Sequence, residues 1–333
     1  MRKAIVLMMT LGFIAIITAL VLYTLTISQR SFDEVSVIDA QNQFSLTFKD
    51  FNSILNSITK DVNDSDTLEI LLSSDIPPLT EPKTGIVIGF EMNSRMKKIN
   101  LNMLLNNLIT SEGNCDQNMT TRILCRPLKR FFDLYGLRSQ QTMLDLLIDT
   151  VDKNDLELGS ETEIANDDID FAQGKIYSYN HLKKIFKKYY ELSSDKNIFK
   201  INRQSVEDFF YFGDINKSTG ILDCKSDFSF TQSGESEVKD PLSLLLPSSL
   251  LEDDSDYCAM FKEESTYMQN DPELKEIKEL FRVGEFDSND TKSKYLIKCN
   301  LTLGTSSYEK ELVFDYDIIH KRIDRIEESV SRE

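Results

Sequence analysis

Residues 1–30 read MRKAIVLMMTLGFIAIITALVLYTLTISQR, and this stretch decides how the rest of the chain is read. Met1-Arg2-Lys3 is basic, the 26 residues from Ala4 to Gln29 carry no charge, and Arg30 closes the run. The hydrocarbon core of a bilayer is ~30 Å thick and takes ~20 apolar residues as a helix. This run is long enough to span with tilt, or to project beyond the membrane as helix. Arg2 and Lys3 precede it and Asp33 and Glu34 follow it. The positive-inside rule then leaves the N-terminus in the cytoplasm and carries everything after about Arg30 across the membrane. A cleaved signal peptide is the rival reading. Its apolar core usually spans about 7–15 residues and ends at a small-x-small site. Here the run is longer and ends Tyr23-Thr24-Leu25-Thr26-Ile27-Ser28. An uncleaved signal anchor is the plainer alternative.

The apolar spacing continues past the membrane. Phe32, Val35, Ile38, Phe44, Phe48, Phe51, Leu55 and Ile58 recur at roughly helical intervals, so 4 to about 60 reads as one long helix that Asn63-Asp64-Ser65-Asp66 ends. Pro77-Pro78 through Pro82 is a stiff, extended connection. Gly85 to Met92 is rich in β-branched residues and reads as a strand, and Lys98 to Asn102 as a second strand edge. The pattern then turns helical at 101–108, 127–135, 141–151, 178–190 and 204–211, giving an all-α segment of 101–212 set between strands. Further helices are expected at 240–251 and 272–281. Tyr295–Leu303 and Tyr308–Tyr316 alternate around the Gly304–Ser307 turn as an antiparallel hairpin, and 318–326 adds one more strand-like run. The fold class is α+β.

Charge removes one class of function. With 38 Lys+Arg against 55 Asp+Glu the formal charge is −17, the opposite of a nucleic-acid footprint. Five cysteines, Cys115, Cys125, Cys224, Cys258 and Cys299, allow two disulfides and one free thiol in an oxidising compartment. Cys115 and Cys125 would close a short loop and are the preferred pair. Cys224 has both Cys258 and Cys299 open to it. No C-x-x-C spacing suggests zinc.

Only two histidines exist, His181 and His320, and neither stands in a nucleophile motif such as G-x-S-x-G. No H-E-x-x-H, P-loop or G-x-G-x-x-G occurs, so an enzyme is not expected. The one candidate site is an acidic loop carrying Asp149, Asp152, Asp155, Glu157, Glu161 and Glu163. Calcium takes six to eight oxygens, and carboxylates clustered on a loop supply them. From Asp152 the EF-hand pattern fits at Asn154 and Glu163 but fails where Gly is required, at Glu157. The choice is a calcium loop of another kind or a solvated helix-to-helix connection. Glu252 to Asp256 is a second, weaker acidic run.

A helix that begins in the membrane near residue 1 and runs into a sheet domain resembles the type IV pilins and pseudopilins. Met-Arg-Lys-Ala4 resembles their leader (residues 1–4), and Ile5-Val6-Leu7-Met8-Met9 their mature start, the spanning helix being 5–29. The family usually has Gly where Ala4 stands, and Glu where Met9 stands. That carboxylate meets the amine of a neighbouring subunit, and a buried carboxylate needs such a partner. The member that typically lacks it is the large K-type minor pseudopilin of type II secretion, which the rest of the chain also resembles. Its I-N-L-N-x-L segment is similar to Ile99–Leu104, its L-D-W-x-D-x-D-x-x-x-x-G-x-E segment to Leu147–Glu161 without the Trp, and its S-L-x-E-L helix to Tyr179–Ile185.

The resemblance implies a pilin-like α/β domain in two parts, 30–100 and 213–333, carrying 101–212 as an inserted helical domain. It also implies a non-enzymatic tip subunit, N-terminus in the cytoplasm and C-terminal domain in the periplasm. Its partners would be the I-type and J-type minor pseudopilins, the prepilin peptidase and the inner-membrane secretion platform. A signal-anchored periplasmic binding or sensory domain is the alternative. Cleavage between Ala4 and Ile5 makes a specific expectation: Ala4→Leu should leave the precursor uncut on immunoblots of membranes, and normal maturation of that variant would sink the assignment.

Overall fold

The alternating apolar residues of 296–317 form the centre of an antiparallel sheet, and a separate helical core is built from the chain between its second and third strands. The computed structural model describes residues 51–74, 77–80, 87–111, 115–154, 156–214, 222–224, 241–250, 257–290, 294–305 and 308–332. In chain order, helical residues 51–58 (α1) lead to α2 (Ser65–Ser73), a two-residue β1 (Leu79–Thr80) and β2 (Val87–Ser94). After β3 (Ile99–Asn100) come α3 (Leu101–Thr110), α4 (Met119–Leu134), α5 (Gln140–Val151), α6 (Ile164–Asp167) and α7 (Tyr179–Ser193). A 3-10 turn (Lys196–Lys200), α8 (Arg203–Phe209), β4 (Phe210–Tyr211) and β5 (Leu222–Asp223) follow. Two more 3-10 turns (Leu242–Leu244 and Ser248–Leu250) precede α9 (Tyr257–Met260), α10 (Thr266–Asn270) and α11 (Pro272–Phe281). The chain closes with β6 (Val283–Gly284), β7 (Leu296–Thr305), β8 (Tyr308–Asp317) and β9 (Arg322–Arg332). The fold is α+β.

The sheet order is β1-β2-β7-β8-β9, every pair antiparallel. Ile297, Cys299 and Leu301 stand opposite Tyr316, Phe314 and Leu312, and all six are buried on one face. Side chains two apart share a face. Against that face lies α1: the Phe51 ring meets Phe90 at 4.4 Å and Phe314 at 6.1 Å, and Leu55 is fully buried. The α1 end is pinned by polar contacts. Tyr316 Oη donates to Asn56 Oδ1 at 2.7 Å, and Lys321 Nζ donates to the Thr59 carbonyl at 2.6 Å. Close strand approach requires Gly89, where an added Cβ would stand 2.3 Å from Thr302 Oγ1.

The helical core takes its apolar side chains from α3, α4, α5, α7, α8 and α11, and it does not stop at residue 212. Leu242, Leu244, Leu245 and Leu246 are buried in it, with Leu274, Ile277 and Phe281. Two arginines of α4 clamp that returning segment. Arg126 donates to the Leu245 carbonyl at 2.6 Å and pairs with Glu273, and Arg130 donates to the Ser243 and Leu246 carbonyls at 2.7 and 2.6 Å. Residues of 213–283 expected with the sheet therefore pack largely with the helices.

Several element limits differ from the sequence reading. α4 starts eight residues before Pro127, at a capping box in which Asn118 and Thr121 satisfy each other's amides. Pro127 sits inside the helix. α4 ends in a Schellman closure, with Gly136 at φ +65°, its amide bonded to the Asp133 carbonyl and the Leu137 amide to the Phe132 carbonyl. Asp64 does not merely stop a helix: it N-caps α2, accepting from the Thr67 amide at 2.8 Å. Ile99–Asn100 pairs in parallel with β4 rather than edging the sheet. In place of the helix expected over 240–251, the described residues form 3-10 turns at Leu242–Leu244 and Ser248–Leu250, and the last strand starts at Arg322, after a tight turn with Lys321 at φ +53°.

Among the described residues no helix is long and apolar enough to cross a membrane. The spanning run 5–29, the leader with Ala4 and Ile5, and the helix expected up to residue 50 lie outside the described residues. The α1–sheet contact makes a stability expectation. Leu55→Ala should cost about 2–5 kcal/mol in urea unfolding, while Ile54→Ala, at a side chain 52% exposed, should stay within about 0.5 kcal/mol. Equal costs would mean that α1 does not rest on the sheet through Leu55.

Candidate functional site

The acidic loop begins at the C-terminal end of α5. Asp149 is fully buried on that helix, and its carboxylate turns into its own loop. The Leu158 amide donates to both its oxygens at 3.2 and 3.3 Å, and Thr162 Oγ1 donates at 2.5 Å. Asp152 accepts from the Asn154 amide at 3.1 Å. Glu157 accepts from the Glu161 amide at 3.0 Å and from Asn166 at 3.3 Å. Glu163 is 2% exposed; one oxygen takes a bond from Gln173 at 2.5 Å and the other has no partner. Burial pushes the Asp149 and Glu163 carboxyls above their ordinary values, and the neighbouring acids add to this.

These carboxylates serve as caps for turns of the loop. A calcium ion needs six to eight oxygens converging on one point. Among the described residues no three His, Cys, Asp or Glu side chains are arranged to hold a metal ion. Asp155 lies outside the described residues, and Glu161 is exposed with its backbone at φ +62°. The described residues therefore do not fit the calcium loop. Thr162 and Gln173, which tie the acids down, carry no sequence signal that would have singled them out.

The cysteines are placed plainly. Cys115 is bonded to Cys125, and Cys224 to Cys258. Cys299 is free and buried in the sheet, where burial pushes its thiol far up. A thiol held protonated is a poor nucleophile. His181 packs its ring against Phe171 at 4.6 Å, and burial lowers its basicity. His320 Nδ1 lies 2.7 Å from Asp317 Oδ2 in the turn before β9. The two histidines share no site.

The larger feature is a cleft of about 540 Å³ between the helical core and the second face of the sheet. Alternation puts Asp315, Val313 and Glu311 of β8 on that face, opposite the apolar one. Arg95, just after β2, donates from Nε to Asp315 at 2.8 Å, both side chains buried or nearly so. Across the cleft Glu207 of α8 takes Arg203 at 2.6 Å and Lys298 of β7 at 3.2 Å. Tyr177, Tyr179, Phe210 and Phe212 supply the aromatic wall. Lys98 lies within the same field of charges. Burial, and then the Arg95 guanidinium, push its amine down to about 8. Sequence spacing gave no hint of this cluster, because Arg95 and Asp315 lie 220 residues apart along the chain and Glu207 and Lys298 lie 91 apart.

No family model, curated protein or solved structure matches this chain.

The Lys98 environment makes a pH prediction. Unfolded, the amine titrates near its ordinary 10.5, and folded it titrates near 8. Between these values the unfolded chain holds a proton that the folded chain has released, so Lys98 makes stability rise with pH through that window. The same contribution is lost as pH falls through 8. In Lys98→Met this slope should vanish, so the variant's advantage over the native chain should shrink by roughly 2–3 kcal/mol from the bottom to the top of the window. Chemical unfolding at a series of pH values checks this, and a difference that stays flat would refute it.

Proposed function

We propose that this chain is a minor pseudopilin of the K-type, a non-enzymatic subunit at the tip of a type II secretion pseudopilus. The observation that supports this reading is the connection between two neighbouring strands. β2 and β7 are paired from Val87–Gly304 to Ser94–Ile297, yet the chain between them builds nearly the whole helical core. The resemblance implies a small helix-on-sheet domain carrying a bulky helical body in one connection, and this arrangement is similar, although the helical core runs on past 212 through Leu242–Leu246 and α11.

Mechanically, the apolar run 5–29 would anchor the precursor in the inner membrane and then pack in the fibre. Phe32, Val35, Ile38 and Phe44 would bury against the helices of the I-type and J-type partners, as amphipathic faces do in grooves. The helical body would block addition of a subunit above it. With Met9 in place of the usual Glu, no carboxylate seeks an amine from above. This reading uses no calcium: Asp149 and Glu157 hold amides and hydroxyls of their own loop.

The test is the N-terminal residue and methylation state of the protein isolated from its own membranes, read by mass spectrometry. A mature chain starting at N-methylated Ile5 is expected. An intact Met1 would replace this reading with a signal-anchored periplasmic domain, and a start near Ser28 with an ordinary exported protein.

A further inference from the structure

We propose that the groove between α7 and the Lys196–Lys200 turn is a docking site for an acidic, amphipathic segment of a partner protein. This inference needs none of residues 1–50 and stands apart from the pseudopilin reading.

The first observation is charge. Between 183 and 203 seven Lys or Arg stand against two acids, Glu191 and Asp195, in a chain of formal charge −17. The second is shape. The groove holds about 450 Å³ and is floored by Phe186, Ile198 and Ile201, which are buried. One rim is the Phe199 ring, 64% exposed and resting on Tyr190 at 4.9 Å. The other wall is Lys183, Lys184 and Lys187 of α7, all exposed. Phe199 is among the most exposed large apolar side chains among the described residues.

These lysines are not spent on structure. Lys187 reaches Glu191 only at 3.7 Å, and Lys184 reaches Asp168 at 3.5 Å, with every group well exposed. Such pairs hold little energy. Lys183 makes no ion pair among the described residues. An apolar floor with cations along one wall matches an amphipathic helix that lays its apolar face in the groove and its acidic flank on α7. Charge complementarity of this kind sets orientation and rejects wrong partners. A membrane surface is the poorer fit, since its binding sites protrude whereas this one is concave. A nucleic acid is also a poorer fit, since a backbone-tracking groove is basic throughout, whereas here the cations line one wall above an apolar floor.

The experiment uses the full chain in detergent and a fluorescent synthetic peptide of about 18 residues, five helical turns. The peptide carries Leu and Phe at i, i+3, i+4 and i+7, with Glu on both flanks. Anisotropy should show saturable binding that weakens on the order of tenfold in Lys183→Glu/Lys187→Glu and again in Phe199→Ala. It should also weaken as salt is raised from about 0.05 to about 0.5 M, where screening is nearly complete. A peptide of the same composition, scrambled to remove the apolar face, should bind on the order of tenfold less. Unchanged unfolding midpoints of both variants, expected because these side chains are exposed, assign the loss to the surface. The proposal is overturned by absence of saturable binding, by equal affinity for the scrambled peptide, or by affinity that the substitutions leave intact. It is equally overturned if the same substitutions instead abolish binding to phosphatidylglycerol vesicles or to a single-stranded oligonucleotide.

Discussion

The hydroxyl of Tyr295 holds the two cores together. The residue is fully buried, donates to Asp223 Oδ2 at 2.7 Å and lies 3.0 Å from Ser94 Oγ. Ser94 is the last residue of β2, where the chain leaves the sheet; Tyr295 directly precedes β7, where it returns; and Asp223 belongs to β5, beside the helical core. The Asp223 amide also donates to the Met96 carbonyl at 2.8 Å. Exit, return and docking of the second body are thus fixed at one point. Burial and the Asp223 charge hold the phenol protonated, which keeps it a donor. A buried carboxylate without such a donor would be costly, so the seam has little freedom to rearrange while Asp223 stays inside.

The remaining contacts across the seam follow the same logic. Phe210 belongs to the helical core, while its neighbour Tyr211 belongs to the sheet core, so β4 itself passes through the boundary. On the second face of the sheet, Arg95–Asp315 and Lys298–Glu207 take the place of apolar packing. Polar joints of this sort fix orientation more than they add stability. The sheet therefore presents two unlike faces. One is sealed by α1 through Phe51 and Leu55, and the other meets the helices across a charged cleft.

What the sequence made legible is what local rules govern. The period-two runs around Cys299 and Phe314 became β7 and β8. Asp271 ahead of Pro272 starts α11, and Ser178 caps α7, as short-range capping chemistry predicts. What was not legible depends on distant partners. Pro127 reads as a helix start because an interior proline loses a backbone bond, yet burial of Ile123, Leu124 and Leu128 outweighs that loss. The parallel pairings of Ile99 with Phe210 and of Leu222 with Val283 have no local signal. The acidic loop misled for a related reason. Clustered carboxylates look like a cation site until Thr162 and Leu158 are seen to hold both oxygens of Asp149, and Gln173 one oxygen of Glu163. The charged cleft went unseen because its ion pairs join three separate stretches of chain.

The disulfides show which body needs help. Both lie in the helical core, Cys115–Cys125 leading into α4 and Cys224–Cys258 joining β5 to α9, with separations of 10 and 34 residues. In the chain-entropy picture they stabilise by about 3 and about 4 kcal/mol. The sheet has ladders of eight to ten pairs between its long strands, that of β8 with β9 shifting register at Asp315–Tyr316, and carries only the free Cys299. Among the described residues of 222–270 the only strand is the two-residue β5, and the 3-10 turns and the four- and five-residue α9 and α10 must be held by side chains. Arg126 and Arg130 do so from one side, by taking the carbonyls of 243–246, and Cys258 does so from the other. Bonds of this kind persist in oxidising compartments, which agrees with the proposed export. A body clamped by guanidinium groups and disulfides, and tied to the sheet by Tyr295–Asp223 together with Lys298–Glu207, is built to keep its shape.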